Sequence, residues 1–234
     1  MADMLLSGCD GLAKRHVIYS TQPNHMLRAT CIAVIAASAS ALLTGSRVAL
    51  SKGASPAHPL VLTQTIAQLS DGKRNGLKCT PAEAAELEEI IGMLERQNPT
   101  QAPAESALMD GSWRLLYTST KGGSAGKLGP FVGKVKQVMD HGAGTYCNVL
   151  QLRGVRATLA AHWDVVDPST WKVIFDSISF RVLGKQLVKK PFPPSQTGIW
   201  RMTYLDERVR VLRASGSNTP DVENVYVLAK EPEA

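Results

Sequence analysis

The sequence predicts a mainly β protein in which an eight-stranded antiparallel barrel follows two short helices. Beyond residue 111 the chain contains eight short segments rich in β-branched and aromatic residues, separated by Gly, Pro, Asn or Asp. Strand and helix patterns do not alternate there, which argues against a doubly wound parallel sheet. Because eight strands with mostly short connections can remove their exposed edges by closing, an up-and-down barrel is the expected architecture.

The first 58 residues have the composition of a targeting segment. From Gly11 to Ser70 there is no Asp or Glu, whereas five basic residues are scattered among Ser, Thr and Ala. This pattern is typical of plastid and mitochondrial transit peptides, and residues 1–58 are predicted to be a transit segment. The apolar run Ala29–Leu43 leaves a second interpretation open, a bipartite signal for a further membrane crossing.

The net charge gives no reason to expect nucleic-acid binding. The chain has 26 basic and 20 acidic residues, a formal net charge of +6. Residues 1–58 hold five of the basic and two of the acidic residues, so the remainder has 21 against 18, or +3. A domain with so small an excess lacks the basic footprint of nucleic-acid-binding proteins, and no such partner is predicted.

Two helices are predicted in a helical extension and connector that spans residues 59–107. The first helix covers Leu60–Leu69. The second covers Pro81–Gln97, and Thr80 with Glu83 has the reciprocal capping pattern of a helix N-terminus. Apolar residues then recur at helical spacing, at Leu87, Ile90, Ile91 and Leu94. Such an amphipathic helix either packs across one end of the barrel or offers a surface to a partner protein.

The barrel domain is predicted over residues 108–234. Its strands are predicted at Ser112–Thr120, Val132–Met139, Thr145–Leu152, Arg156–Val166, Trp171–Val182, Gly198–Leu205, Arg208–Ala214 and Asn224–Lys230. The two longest interruptions, Lys121–Phe131 and Gly184–Thr197, are predicted to be loops at the mouth of the barrel.

Lysines in and beside these two loops form a candidate membrane-facing surface. Each basic side chain near an anionic lipid surface contributes up to about 1 kcal/mol of attraction. Solvated loop lysines are the alternative, and the sequence leaves both open. The residues concerned are Lys121, Lys127, Lys134, Lys136, Lys185, Lys189 and Lys190.

No constellation of catalytic or metal-binding residues is found. Ser124 lies in GGSAG, the letters of a nucleophile elbow, but a segment with glycine and proline follows where a helix is required. His141 and His162 have no evident partner for proton transfer. The glycine-rich segment Lys121–Gly129 departs from the phosphate-binding loop pattern, and the cysteines lack metal-ligand spacing. No catalytic residue, metal or cofactor is therefore predicted.

The alternation along the strands predicts which side chains lie inside the barrel. Trp113 is expected to close one end, with a late-strand arginine, Arg213, stacked on its ring. Leu115 and Tyr117 share that strand face and are expected in the interior. Five further aromatic residues are expected to fill the core or to line a ligand pocket: Trp163, Trp171, Phe175, Trp200 and Tyr204. Of these, Phe175, Trp200 and Tyr204 are the candidate ligand contacts.

Five ordered motifs carry a resemblance to a known family. They are LERQNPTQAP (Leu94–Pro103), LMDGSWRLLYTST (Leu108–Thr120), GPFVGKVKQ (Gly129–Gln137), TYLDERVRVLRA (Thr203–Ala214) and NVYVLAK (Asn224–Lys230). In these motifs the chain resembles the plastid lipid-associated proteins, also called plant fibrillins, over about Leu60–Lys230. The resemblance implies a lipocalin-like barrel and a plastid location at thylakoids or plastoglobules.

The same resemblance implies the roles of particular residues and of the whole protein. Gly111 and Trp113 look like the lipocalin glycine and tryptophan pair, and Arg210 and Arg213 resemble the closing-strand arginines of the family. The implied function is non-enzymatic binding of hydrophobic metabolites such as carotenoids and prenylquinones at a lipid surface. The alternative is a scaffold that stabilises an enzyme of plastoquinone or prenylquinone synthesis. A lipid-hydrolysing enzyme using Ser124 or His162 is the third hypothesis.

Overall fold

The computed structural model describes residues 57–232, so the predicted targeting segment lies outside the described residues except for its last two positions. Helix α1 is Pro59–Ser70 and helix α2 is Pro81–Glu95. The capping box at α2 is present: the Glu83 backbone N–H donates to Thr80 Oγ1 at 3.3 Å, and the Thr80 N–H donates to Glu83 Oε2 at 2.9 Å. These reciprocal bonds satisfy two of the backbone donors that a helix start leaves unpaired.

The β structure occupies most of the remaining described chain. Its strands are β1 (Gly111–Thr118), β2 (Lys127–Leu128), β3 (Phe131–Val132), β4 (Lys134–Asp140), β5 (Thr145–Leu152), β6 (Val155–Asp167), β7 (Thr170–Val182), β8 (Lys185–Pro191), β9 (Thr197–Leu205), β10 (Val209–Gly216) and β11 (Thr219–Lys230). Short 3₁₀ turns lie at Pro103–Glu105, Ala107–Met109 and Gly123–Ala125.

Eight of these strands form a closed antiparallel barrel, which confirms the predicted fold class. The hydrogen-bonded order is β6-β5-β4-β1-β11-β10-β9-β7, and pairing of β6 with β7 closes the ring. The first and last barrel strands are neighbours, as an up-and-down barrel requires. Because neighbours are antiparallel, the β1–β4, β5–β6, β7–β9 and β10–β11 connections share one end of the barrel, the open end. The β4–β5, β6–β7 and β9–β10 connections share the closed end.

The loop predicted at Gly184–Thr197 is wrong in part, because it contains the strand β8. On one side β7 pairs with β6 along its whole length. On its other side the first half of β7 pairs with β9, whereas the second half, Ser177–Val182, pairs with β8. The pair Ser177–Pro191 is called the projecting hairpin below. Strand β8 is exposed on both faces, so its sequence lacks the alternation that identifies a strand with one buried face. The other predicted loop likewise contains the short β2–β3 ladder.

Among the register shifts of the sheet, two β-bulges change which of the predicted interior residues face inward. In the β1–β11 pair, Leu115 faces Leu228 but Tyr117 faces Val227, so the register shifts by one residue. In the β9–β10 pair, the same shift separates Met202 from Tyr204. A bulge inserts one extra residue on one strand, so side chains beyond it exchange faces.

The helices form a layer against the outer face of the barrel. Helix α1 packs on β1 and on α2, while α2 reaches β9. This packing buries the whole apolar face of α2, which consists of Leu87, Ile90, Ile91 and Leu94. The predicted amphipathic helix is therefore packed, but on the outer face of the barrel and not across its end. Its exposed face is largely acidic, with Glu86 and Glu89.

The α1–α2 connection touches β1 at a glycine. Gly76 has φ +98°, and a Cβ placed on it would lie 2.3 Å from the Thr118 carbonyl oxygen and 2.9 Å from the Tyr117 ring. The Thr118 backbone N–H donates to the Asn75 carbonyl at 3.1 Å. Only a residue without a side chain allows this approach, so Gly76 fixes the helical layer to the barrel.

Gly76→Ala is expected to lower the free energy of unfolding by about 3 kcal/mol, because backbone strain and a clash with main-chain atoms add together. Gly72→Ala is the matched control. Gly72 has φ +66° but no atom within 4 Å of a built Cβ, so only strain of about 1 kcal/mol is expected there. Urea unfolding of both variants measures the difference, and equal losses would contradict the proposed contact.

The segment between α2 and β1 covers the closed end of the barrel. Trp171 Nε1 donates to the Ala104 carbonyl at 2.9 Å, and Thr100 Oγ1 donates to the Leu205 carbonyl at 2.6 Å. Ala104 and Met109 are fully buried in the same core cluster as the barrel interior. What the sequence describes as a connector is therefore a lid over one end of the barrel.

Candidate functional site

A cavity of about 340 Å³ occupies the upper interior of the barrel. It begins at the open end and stops at mid-depth, where the interior becomes solidly packed. Volumes of about 300 to 1,000 Å³ are typical of small-molecule sites, so this one is at the lower end of that range. The barrel thus has a packed lower half and a hollow upper half.

The middle of the cavity has an apolar wall. Three of the predicted interior residues, Leu115, Phe175 and Trp200, contribute to it. The other side chains of this wall are Val135, Leu159, Leu212, Ala214 and Leu228. These residues come from seven strands, and the closed ring of strands brings them together.

Tyr117 and Tyr204 are not interior residues, which corrects the prediction made from strand alternation. Both lie beyond a bulge and are buried outside the interior core cluster. The Tyr117 ring lies against Gly76 under the helical layer. The Tyr204 hydroxyl donates to Asp206 Oδ2 at 2.7 Å, and burial with this carboxylate raises the pKa of the phenol.

Two carboxamides form the deepest part of the cavity. Gln137 on β4 and Asn148 on β5 are direct cross-strand neighbours, and both face the cavity. Gln137 Oε1 accepts a hydrogen bond from Arg210 Nη2. Asn148 Oδ1 is buried and has no hydrogen-bond partner within residues 57–232. This pair is not among the predicted site residues, although two amides on the inward face of adjacent strands are a detectable signal in the sequence.

Trp113 closes the barrel below the cavity. Its side chain is fully buried, and its Nε1 donates to the Met109 carbonyl at 2.8 Å. Two cations lie over the ring: the Arg210 guanidinium carbon at 4.9 Å and Lys230 Nζ at 5.1 Å from a ring centroid. Gly111, two residues earlier, has φ +100°, a conformation that side chains rarely adopt.

The arginine on the tryptophan ring is Arg210 and not Arg213, which corrects the stacking prediction. Residues three apart on a strand point to opposite faces, so Arg210 is inside and Arg213 outside. Arg213 Nε donates to Glu95 Oε1 at 2.8 Å, and Arg213 Nη2 donates to Glu95 Oε2 at 2.9 Å and to Glu88 Oε1 at 2.5 Å. These bonds raise the pKa of Arg213 and attach helix α2 to β10.

Arg210 is a fully buried cation, and burial lowers its pKa to about 9. It remains charged near neutral pH at that value. Besides Gln137, it donates to Met109 Sδ at 3.5 Å, while its Nε has no hydrogen-bond partner in the described part of the chain. A positive charge therefore lies buried beneath the cavity. Its hydrogen bond to Gln137 polarises that amide, so the Gln137 N–H groups become stronger donors at the cavity floor.

The open end has polar, apolar and basic side chains together. Polar residues of the rim include Thr120, Ser124, Gln196 and Asn224. On the projecting hairpin, Leu183 is 84% exposed and Leu187 is 65% exposed, and Phe131 on the β2–β3 ladder is also exposed. Exposed apolar side chains grouped at one end of a protein are typical of an interaction surface.

The candidate lysines divide into two groups. Lys127, Lys134, Lys185, Lys189 and Lys190 are exposed at the open end. Lys121 is also exposed there, but its Nζ donates to the Gly76 carbonyl at 2.9 Å. Lys136 lies on the flank of the barrel, 3.3 Å from Glu231, so the structure separates it from the others.

The residues considered for catalysis do not assemble. Ser124 is exposed on a 3₁₀ turn at the rim, and no helix follows it. His162 Nδ1 lies 2.9 Å from Asp176 Oδ1 on the outer face of β6 and β7, and neither residue lines the cavity. The His141 ring lies near Trp163 at the closed end. Within residues 57–232 no cluster of His, Cys, Asp or Glu is arranged to hold a metal ion.

Helices α1 and α2 are too short or too polar to cross a membrane, and the same holds for every helix in the described residues.

The helical layer and most of the barrel together match a known protein family. A sequence model of the PAP_fibrillin family matches residues 61–220. The chain is 28% identical to the chromoplast-specific carotenoid-associated protein C1 of an Oncidium hybrid cultivar, over 79% of this chain and 74% of the relative. It is 27% identical to the probable plastid-lipid-associated protein 1 of Arabidopsis thaliana, over 73% of this chain and 69% of the relative. It is 26% identical to plastoglobulin-1 of Pisum sativum, over 68% and 58% respectively.

Proposed function

Since this chain belongs to the PAP_fibrillin family and is a plastid protein, we propose that it binds hydrophobic small molecules in its barrel and docks to a lipid surface through the open end. The proposed role is non-enzymatic. The observation that carries it is the cavity of about 340 Å³ with an apolar wall, which opens among exposed apolar and basic side chains.

The cavity supports a ligand with a compact end and a longer apolar remainder. Its wall offers Leu115, Phe175 and Trp200 for burial of apolar surface, worth about 25 cal/mol per Å². A volume near the lower end of the usual range encloses a ring or a short chain, while the rest of a long ligand extends through the mouth. Prenylquinones fit this description, and a carotenoid would be enclosed over only part of its length.

Two kinds of side chain at the open end favour docking to a lipid surface: exposed leucines and exposed lysines. The side chains of Leu183 and Leu187 can enter the apolar boundary of a lipid layer, while Lys189 and Lys190 on the same hairpin attract anionic headgroups. Docking in this orientation places the mouth of the cavity against the lipid. A hydrophobic ligand then passes between lipid and barrel without crossing water.

The scaffold for a prenylquinone-synthesising enzyme is the second candidate. Helix α2 cannot offer its apolar face to such a partner, because that face is buried against the barrel. The acidic outer face with Glu86 and Glu89 is what α2 leaves for a protein partner.

Vesicle flotation tests the docking surface. The full chain is expected to float with phosphatidylcholine vesicles that contain phosphatidylglycerol, and less at high salt because screening weakens the attraction of the lysines. Leu183→Ser combined with Leu187→Ser is expected to reduce the bound fraction at least about tenfold, since each leucine contributes about 1.5 kcal/mol or more when buried.

The matched control replaces two exposed apolar residues at the closed end, Val165→Ser with Val166→Ser. This pair is expected to leave flotation unchanged. An equal loss in both double variants would contradict docking through the open end. Absence of flotation, together with absence of any prenyl lipid extracted with protein isolated from plastids, would overturn the proposed function.

A further inference from the structure

The floor of the cavity is polar in a barrel whose wall is apolar. Gln137 is 5% exposed, and its neighbour Asn148 faces the same space from the adjacent strand. The register places Trp113 directly beside Gln137, so the two amides border the tryptophan plug. Burying polar groups at this depth is unfavourable unless a partner satisfies them.

The hydrogen bonds of these two amides determine which donors and acceptors they present to a ligand in the cavity. Arg210 Nη2 donates to Gln137 Oε1, which leaves the two N–H groups of Gln137 Nε2 as the donors that this side chain can offer to the cavity. Asn148 Oδ1, an acceptor, has no hydrogen-bond partner among the described residues. Because a guanidinium bound to an amide oxygen polarises the amide, Gln137 becomes a stronger donor toward the cavity.

We propose that Gln137 and Asn148 bind the oxygen-bearing end of an amphiphile, which enters the cavity with its polar end first and leaves its apolar chain toward the mouth. This inference rests on the proposed function, because it specifies the ligand class of the same cavity. The amide nitrogens of Gln137 and Asn148 would donate to an acceptor oxygen, either the carbonyl of a quinone or the carboxyl group of a fatty acid. The hydroxyl of a protonated fatty acid would in addition donate to the unpaired Asn148 Oδ1. The buried positive charge of Arg210 behind Gln137 favours both.

The alternative is that the polar end of the ligand binds at the polar rim, with the apolar chain pointing into the barrel. Gln196 lines the cavity at the mouth, so it is the same kind of side chain at the other end of the same space. A ligand bound with its polar end outward would depend on Gln196 and not on Asn148. The two amides therefore distinguish the two orientations.

Displacement of the neutral fluorophore N-phenyl-1-naphthylamine from the full chain measures the preference. The competitors are decyl-benzoquinone, decanoic acid and decylbenzene, of which the last has no oxygen. The wild-type protein is expected to prefer the two oxygenated ligands to decylbenzene by about tenfold, since each amide contributes one net hydrogen bond. Comparison of the quinone with the acid separates the two sources of the acceptor oxygen.

Asn148→Leu is expected to reduce this preference about fivefold for the ligand class that binds, with decylbenzene affinity unchanged or higher. Its thermal stability is expected to be retained or raised, because an unpaired buried amide is removed. Gln137→Met is expected to reduce the preference as well, and also the stability, because Arg210 loses its acceptor. Gln196→Met is expected to change neither.

Three results would overturn the inference. One is equal affinity of the wild-type protein for oxygenated ligands and decylbenzene, which would mean that the amides only hold water. Another is an unchanged preference in Asn148→Leu, and the third is loss of the preference in Gln196→Met instead. In all three cases decylbenzene still binds and the proposed function stands. If neither the fluorophore nor any competitor binds, both the proposed function and this inference fail.

Discussion

Trp113→Ala is expected to lower the free energy of unfolding by about 4 kcal/mol, close to the upper end of the range for large-to-small core substitutions. The side chain is fully buried at the closed end and makes three kinds of contact: packing, a hydrogen bond to the Met109 carbonyl, and a cation–π contact with Arg210. Its removal leaves a cavity beneath a buried cation that already lacks a partner at Nε. With a usual domain stability of about 5 to 15 kcal/mol, the variant retains a small margin at best.

Urea unfolding followed by circular dichroism measures this loss. Arg114→Ala is the control, because Arg114 is the next residue on β1 but is exposed. A change within about 0.5 kcal/mol is expected there. Trp113→Phe is expected to lose less than alanine, since the aromatic ring keeps most of the packing and the cation–π contact but not the hydrogen bond. Equal stability of Trp113→Ala and the wild-type protein would show that the tryptophan does not close the barrel.

Ala214→Phe is expected to abolish ligand binding in the barrel while the fold persists. Ala214 faces the cavity opposite Trp200, where a larger side chain enters empty space instead of a packed core. A phenylalanine buries about 150 to 250 Å² of surface, and a ligand excluded from that area loses roughly 4 to 6 kcal/mol at about 25 cal/mol per Å². The affinity for N-phenyl-1-naphthylamine is therefore expected to fall at least about a hundredfold.

Fluorescence titration with this probe measures the affinity, and thermal unfolding shows whether the fold is retained. Val166→Phe places the same side chain at an exposed position of the closed end and is expected to leave the affinity unchanged. Unchanged binding by Ala214→Phe would show that the probe binds elsewhere. Ala214→Phe is also expected to leave vesicle flotation intact, because the exposed leucines and lysines of the projecting hairpin remain.

Several features of the fold follow from local sequence chemistry. The capping pattern of Thr80 and Glu83 predicts the start of α2, and the structure has the two hydrogen bonds. Alternating apolar residues bounded by turn residues predict the eight barrel strands. Trp113 at the start of the first strand is predicted to close one end, and it lies there with its ring beneath a cation.

Some predictions of which side chains face the barrel interior are wrong, because one extra residue in a strand exchanges its inward and outward faces. Leu115 and Tyr117 are two residues apart, so an unbroken strand would place both inside. The bulge between them turns Tyr117 outward to the helical layer, and a bulge on β9 does the same to Tyr204. Nothing in either local sequence marks the extra residue, because bulges are selected by the fit between neighbouring strands.

The sequence by itself determined the strand pattern, the helix caps, the tryptophan plug and the family to which the chain belongs, since each depends on residues close together in the chain or on their order. Only the tertiary structure decided that Arg210 and not Arg213 lies over Trp113, that β8 lies outside the barrel, and that Gln137 and Asn148 meet beside the plug. These facts depend on which residues face each other across strands far apart in sequence. That register is set by closure of the whole barrel.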